Sequence, residues 1–107
     1  MQYLEITLKD SLEEIFRVGG ESFKEFYPRD KFLKRLNDKK YWIYVAREDK
    51  IVGFKIFYED EEGQLYDWLD GVSPPYRKRG IASKLMTMEI NFGKNQGYSK
   101  LKLKTHE

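Results

Sequence analysis

The sequence contains no cysteine and a single histidine, His106, one position from its end. The first absence excludes disulfides, thiolate nucleophiles and cysteine-based metal sites. The second argues against a protein-only zinc site and a Ser-His-Asp triad, since both need imidazoles on an ordered scaffold. No metal is therefore expected. No apolar run approaches the roughly 20 residues that span a bilayer. Met1-Gln2-Tyr3-Leu4-Glu5 has neither the basic start nor the apolar stretch of a signal peptide. These absences lead us to expect a soluble, cytoplasmic protein with no membrane partner. Only three prolines occur, and two of them stand together at Pro74-Pro75.

What is present suits one small folded unit. The chain has 107 residues, 40% hydrophobic and 16% aromatic, spread without repeats, linkers or low-complexity tracts. One domain over residues 1–107 with a packed core is the expectation, either as a natural short form or as a fragment of a longer chain. Charge is uneven: residues 1–71 hold 12 Lys+Arg against 16 Asp+Glu, whereas residues 72–107 hold 8 against 2. A basic last third on an acidic body points to an anionic ligand, on a small molecule or on nucleic acid; a solvated basic face is the plainer reading.

Periodicity gives the elements. Tyr3–Leu8 alternates as a strand with Leu4, Ile6 and Leu8 on one face. Ser11 and Glu14 have the spacing of a capping box, starting a helix that carries Leu12, Ile15, Phe16, Phe23 and Phe26 inward, with a bend expected at Gly19-Gly20. Pro28 restarts a shorter helix to about Leu36, with Phe32, Leu33 and Leu36 at helical spacing, and Asn37-Asp38 ends it. Tyr41–Ala46 and Ile51–Tyr58 read as a hairpin rich in aromatic and β-branched residues. The acidic run Glu59–Glu62 makes a second hairpin tip before the strand Gln64–Val72, and Pro74-Pro75 closes that strand. From Gly80 the pattern is helical, with Ile81, Leu85, Met88 and Phe92 on one stripe and Gly97 at the far end. Lys100–Thr105 then alternates as a half-buried strand. The order is β-α-α-β-β-β-α-β, an α+β class with layered α/β character.

Chemistry concentrates between the third and second of these elements from the end. Val72-Ser73-Pro74-Pro75-Tyr76-Arg77-Lys78-Arg79-Gly80-Ile81-Ala82 joins a strand end to a helix start. A helix N-terminus offers unpaired N–H groups and the positive end of the macrodipole, so it binds phosphate without a special side chain. Gly80 and Ala82 are small enough to let an anion reach those amides, and Arg77, Lys78 and Arg79 add charge beside them. Taken alone, Gly80 also reads as the glycine of a tight strand-to-helix turn.

In combination, Arg77-Lys78-Arg79-Gly80-Ile81-Ala82 matches the Arg/Gln-x-x-Gly-x-Gly/Ala motif of the GNAT acetyltransferases, and Val72-Ser73-Pro74-Pro75-Tyr76 is similar to the approach to that motif. The sequence resembles this superfamily over nearly its whole length. The resemblance implies a GNAT-like mixed sheet and acetyl-CoA as co-substrate, with the backbone N–H groups of about Lys78 to Ser83 holding the pyrophosphate. Under the same resemblance Arg77 sits at the start of the cradle, Lys78, Arg79, Gly80, Ile81, Ala82 and Ser83 belong to it, and the backbone of Val72 meets the pantetheine arm and the oxyanion. The acyl group would lie where the strand ending at Val72 splays from the strand 100–105. Attack on a thioester needs an unprotonated amine, and a lysine-like amine has a pKa of about 10.4, so a carboxylate near the cleft is expected as base. Asp67 and Asp70 are the acidic residues on the strand leading in. A bulge in this strand is frequent in the family, so alternation does not decide which of them faces the cleft, and each also reads as a solvated strand residue.

The sequence departs from the family after the strand 100–105. Members usually continue into a further helix and two strands, and that helix often supplies a tyrosine acid. No residue here inherits the role by position, and Tyr98 is not its equivalent. The fold is thus expected to be truncated after the strand following the pyrophosphate-binding helix, leaving an edge that either its alternating lysines blunt or a second copy covers, as a homodimer. The function this implies is acetyl transfer from acetyl-CoA to a primary amine, on a small molecule or peptide, by direct attack. A non-catalytic coenzyme A-binding module is the alternative. Nucleic-acid binding through Arg77–Arg79 and the lysines of 100–104 ranks below both, because no groove-reading helix or stacking pattern accompanies those charges.

Overall fold

A computed structural model describes residues 1–103. Five strands and three helices follow in the expected order: β1 (Gln2–Glu5), α1 (Leu8–Ser22), α2 (Arg29–Leu36), β2 (Tyr41–Arg47), β3 (Ile51–Glu59), β4 (Leu65–Val72), α3 (Ile81–Asn95) and β5 (Leu101–Leu103). A single 3-10 turn, Pro74–Tyr76, lies between β4 and α3. The sheet runs β1-β2-β3-β4-β5; its first four strands are antiparallel, and β5 joins β4 in parallel after the α3 crossover.

Helices cover both faces. Ile15 and Val18 of α1 and Phe32 and Leu36 of α2 pack with Ile43, Val45, Phe54, Ile56, Trp68 and Leu69 on one side. Ile81 and Leu85 of α3 pack with Tyr44, Ala46, Val52, Phe57 and Leu65 on the other. That double cover explains why β3 is buried along almost its full length. The tryptophans and most phenylalanines serve these layers, as expected: Trp68 is buried against Tyr27 and Phe32, and Trp42 stacks between Phe57 and Phe92.

Several local expectations are corrected. The first strand ends at Glu5, because Thr7 caps α1 by accepting from the Asp10 N–H at 3.2 Å. Ser11 is therefore not the cap; it is buried inside the helix and donates to the Thr7 carbonyl at 2.8 Å. Leu8, expected on the strand, opens the helix. No break occurs at Gly19-Gly20, and α1 continues to Ser22. Gly19 is required by packing: a Cβ there would come within 2.6 Å of the Phe26 ring, which folds back against the helix. Phe23 and Phe26 accordingly lie beyond α1, and Leu33 points outward. The last strand is described to Leu103; its expected continuation through Lys104 and Thr105, and His106, lie outside the described residues.

Candidate functional site

The junction between β4 and α3 is held from below by the end of α1. Ser73 is buried, its N–H donating to the Val52 carbonyl at 2.8 Å and its hydroxyl to Glu21 Oε1 at 2.6 Å. Ladder alternation therefore turns the N–H and C=O of the preceding residue, Val72, away from β3. The Val72 carbonyl is already engaged, accepting from Ser22 Oγ at 3.0 Å and from Arg77 Nε at 3.3 Å. Its N–H is the group left for an added chain.

Beyond the proline turn the backbone twice enters the left-handed region, at Lys78 (φ 63°) and Gly80 (φ 81°). Gly80 then serves as N-cap of α3 without contributing a side-chain acceptor. Thr7 caps α1 with a side chain; α3 has no such lid and no acidic residue in its first turn. Its first N–H groups and the positive end of its dipole are thus left open. A cavity of about 220 Å³ lies over this end, lined in part by Val72, Tyr76, Lys78, Gly80, Ala82 and Ser83.

The three basic residues of the motif divide. Lys78 borders the cavity. Arg77 also borders it, but its guanidinium is turned back to the Val72 carbonyl and to the Ser22 carbonyl at 3.4 Å, so it ties the loop to α1. Arg79 lies with its guanidinium carbon 5.1 Å from the centre of the Tyr76 ring, a cation–π placement. Tyr76 itself packs with the α3-side core.

The two aspartates are brought together by one irregularity. Ile56 pairs with Leu69 and Phe57 with Asp67, so Trp68 is an extra residue bulged out of β4. Residues three apart on a regular strand face opposite sides. With the bulge, Trp68 and Leu69 both enter the α1-α2 side, and Asp67 and Asp70 both reach Lys55 on the α3 side. Asp67 is also the β4 residue that pairs with Leu103, so the strand from there to Val72 has no β5 partner among the described residues.

Lys55 and Glu89 complete this cluster, and sequence reasoning missed both. Lys55 Nζ lies 2.9 Å from Asp67 Oδ1, 3.7 Å from Asp70 Oδ2 and 3.5 Å from Glu89 Oε1. The Lys55 and Glu89 side chains are 1% and 0% exposed, Asp67 is 13% and Asp70 is 55%. Among the described residues no well-formed hydrogen bond reaches either Glu89 oxygen; Lys55 and the Asp67 carboxyl are the polar groups beside it. Burial pushes the Glu89 carboxyl up to about 8, with the Asp67 charge adding to the rise and Lys55 opposing it. For Lys55, burial disfavours the charge, but Asp70, Asp67 and Glu89 together outweigh it and hold the ammonium above its ordinary value. A signal was present for both residues. A lysine inside the run Val52–Tyr58 falls within a strand covered on both faces, and Ile81, Leu85, Glu89 and Gly93 are the i, i+4, i+8, i+12 row that α3 buries. Among the described residues, no group of His, Cys, Asp or Glu is arranged to hold a metal ion.

Tyr98 donates to Glu59 Oε1 at 2.8 Å, and burial together with that bond pushes its hydroxyl up to about 12. The hairpin tip expected at Glu59–Glu62 is there as well: Asp60 Oδ1 accepts from the N–H groups of Glu62 and Gln64, and Lys102 bridges Asp60 and Glu62 at 3.0 Å. No helix of the described residues is long and apolar enough to cross a membrane.

Solved structures share this architecture. The ribosomal-protein-S18-alanine N-acetyltransferase from Escherichia coli aligns with a TM-score of 0.83 at 16% identity, covering 95% of this chain and 64% of its own, so the chain spans less than two thirds of that enzyme. An aminoglycoside acetyltransferase from an uncultured soil metagenomic sample aligns at 0.73 with 21% identity, covering 99% of this chain and 78% of its own. The aminoglycoside N-acetyltransferase AAC(6')-Iy, in complex with CoA, aligns at 0.71 with 18% identity, covering 98% and 79%. At these identities the likeness is one of fold. Among curated proteins, none matches the chain. A family model does match, over residues 6–107, and by it the chain belongs to the acetyltransferase (GNAT) family.

Proposed function

We propose that this chain binds acetyl-CoA with the pyrophosphate on the open N-terminus of α3 and transfers the acetyl group directly to a primary amine. The observation that carries this reading is the uncapped helix end beneath its cavity, opened by the left-handed Gly80. The free N–H groups of Ile81, Ala82 and Ser83 supply the phosphate donors, with Lys78 and the helix dipole adding positive potential. The Val72 N–H, turned away from β3, offers one hydrogen bond to the pantetheine arm or to the developing oxyanion. Val72 then acts as donor only, because its carbonyl is taken by Ser22 and Arg77.

An ammonium has no lone pair to attack with, so the amine must lose a proton first. Asp67 is the base we favour. It is partly exposed and is the last β4 residue with a β5 partner among the described residues, whereas Asp70 stands further out on the same face. The attacking nitrogen bonds to the thioester carbonyl carbon, the C–S bond breaks, and the proton shed by the new amide nitrogen goes to the departing thiolate, so that coenzyme A leaves as the thiol. The solved relatives named as acting on aminoglycosides and on a ribosomal-protein alanine support an amine as acceptor.

A thermal-shift titration with coenzyme A and acetyl-CoA tests the binding half. Ligand at 100 times its dissociation constant stabilises by about 2.7 kcal/mol, so no shift at millimolar ligand counts against the site. Thiol release from acetyl-CoA in the presence of amines tests the second half; binding without release would leave a coenzyme A-binding module.

A further inference from the structure

The buried cluster has an odd charge balance. One ammonium, Lys55, faces three carboxylates from two elements, Asp67 and Asp70 on β4 and Glu89 on α3. Its members form a graded path: Asp70 half exposed, Asp67 at the margin, Lys55 and Glu89 sealed. Glu89 sits at the closed end, with no well-formed hydrogen bond among the described residues, its cation 3.5 Å away and the Asp67 carboxyl beside it. A purely structural ion pair would satisfy those lone pairs, because each unmet buried polar atom costs about 1–3 kcal/mol. An ionised cluster of this composition carries a charge of −2, and one added proton reduces it to −1 in a site where charge is costly.

We propose that Glu89 is the proton store behind Asp67, filled through Lys55 each time the acceptor amine is deprotonated. The inference rests on the reading of Asp67 as the base. The step balances as follows. The acceptor ammonium gives a proton to the Asp67 carboxylate and becomes a free amine. Lys55 Nζ then passes one of its protons to the Glu89 carboxylate and takes the proton from Asp67. Asp67 and Lys55 return to their starting forms, Glu89 ends protonated, and the charge of the cluster rises by one. Neither Lys55 nor Glu89 touches the substrates; both act through Asp67 and are positioning residues in that sense.

Groups facing Glu89 from the surrounding elements are consistent with this role. Lys55 faces it from β3 and Asp67 from β4, with Asp70 on the far side of Lys55. Tyr44 on β2 is near enough for Glu89, after burial and Glu5, to raise its hydroxyl. Lys94, Tyr98 and Lys100 border the cavity of about 170 Å³ that Glu89 helps to line. Of these, Lys55 alone is at ion-pair distance among the described residues.

The experiment compares the intact chain with Glu89→Gln and Lys55→Met, using a lysine peptide with a blocked N-terminus as acceptor. Its amine titrates at about 10.4, well clear of the value of about 8 for Glu89. For the unaltered chain, whose acceptor arrives as the ammonium, log kcat/KM should rise with one ionisation up to about pH 8 and level off above it. Glu89→Gln should lose that ionisation, keep coenzyme A binding in the thermal-shift assay, and slow transfer above that pH by about 10²-fold or more, the usual worth of a general base. Lys55→Met should slow transfer comparably although Glu89 is intact. A Glu89→Gln profile that retains that ionisation overturns the proposal while the acetyl-transfer reading stands. Coenzyme A binding without transfer in the unaltered chain also overturns it, and loss of both binding and transfer overturns the two readings together.

Discussion

Lys55 Nζ donates to Asp67 Oδ1 over 2.9 Å, joining the middle of β3 to the bulged part of β4. The ammonium is sealed from solvent, and removing it leaves three carboxylates facing one another. Lys55→Met is expected to cost about 3–5 kcal/mol near neutral pH, the usual penalty for orphaning one side of a buried ion pair. The deficit should shrink as pH falls and the carboxylates protonate. Urea denaturation at two pH values measures it; a cost independent of pH would speak against an electrostatic origin.

Glu89→Gln should do the opposite in alkaline solution. The folded chain holds the Glu89 proton up to about 8, whereas the unfolded chain releases it near 4.5. The folded state therefore binds more protons between those values, and stability falls as pH rises across that window. A glutamine is neutral throughout, so the variant should be the more stable protein at about pH 9, by on the order of 2–4 kcal/mol, and should lose that advantage below the window. Thermal melts across the range decide it.

Gly80→Ala separates strain from binding. A Cβ there meets no other atom, but φ is 81°, a conformation that costs a residue with a side chain roughly 1–2 kcal/mol. A small drop in Tm together with at least a tenfold weaker response to coenzyme A is expected. An unchanged response would show that the α3 N-terminus is not where the pyrophosphate sits.

The neighbouring glycines of α1 should respond with opposite signs. Gly20 is exposed with open space around it, so Gly20→Ala should stabilise by about 0.5–1 kcal/mol through helix propensity. Gly19→Ala places its Cβ within 2.6 Å of the Phe26 ring. That ring is hemmed in by Phe16, Tyr27, Phe32 and Phe54, so overpacking of about 1–3 kcal/mol should prevail. Equal effects from the two variants would mean that Phe26 does not pack on the helix.

The element order and the uncapped start of α3 were legible in the sequence because each rests on local chemistry: period-two runs, the Pro74-Pro75 stop, and a glycine before an amphipathic helix. The sequence was less informative where distant residues decide. Gly19-Gly20 reads as a bend until Phe26 is known to fold onto it. The capping box at Ser11 and Glu14 is a sound local pattern, but it lost to Thr7, whose carbonyl also takes the Ser11 hydroxyl. Asp67 and Asp70 were legible as acids near the cleft, but not as neighbours around a common cation. Their placement depends on the register of β4 against β3, which no local run of residues reports.

The bulge at Trp68 makes that register a matter of counting. Measured back from Val72, the strand carries one residue more than its partner can match, and this surplus sets the phase of everything before it. Laid as a regular ladder at its present length, with Leu69 still opposite Ile56, the strand would put Trp68 opposite Phe57, turn Asp67 into the aromatic layer of Phe32 and Tyr27, and leave Lys55 with Asp70 and Glu89 alone. In this strand one unpaired residue decides where a charge points, and relatives are best aligned here by the place of the bulge before the identity of its residues.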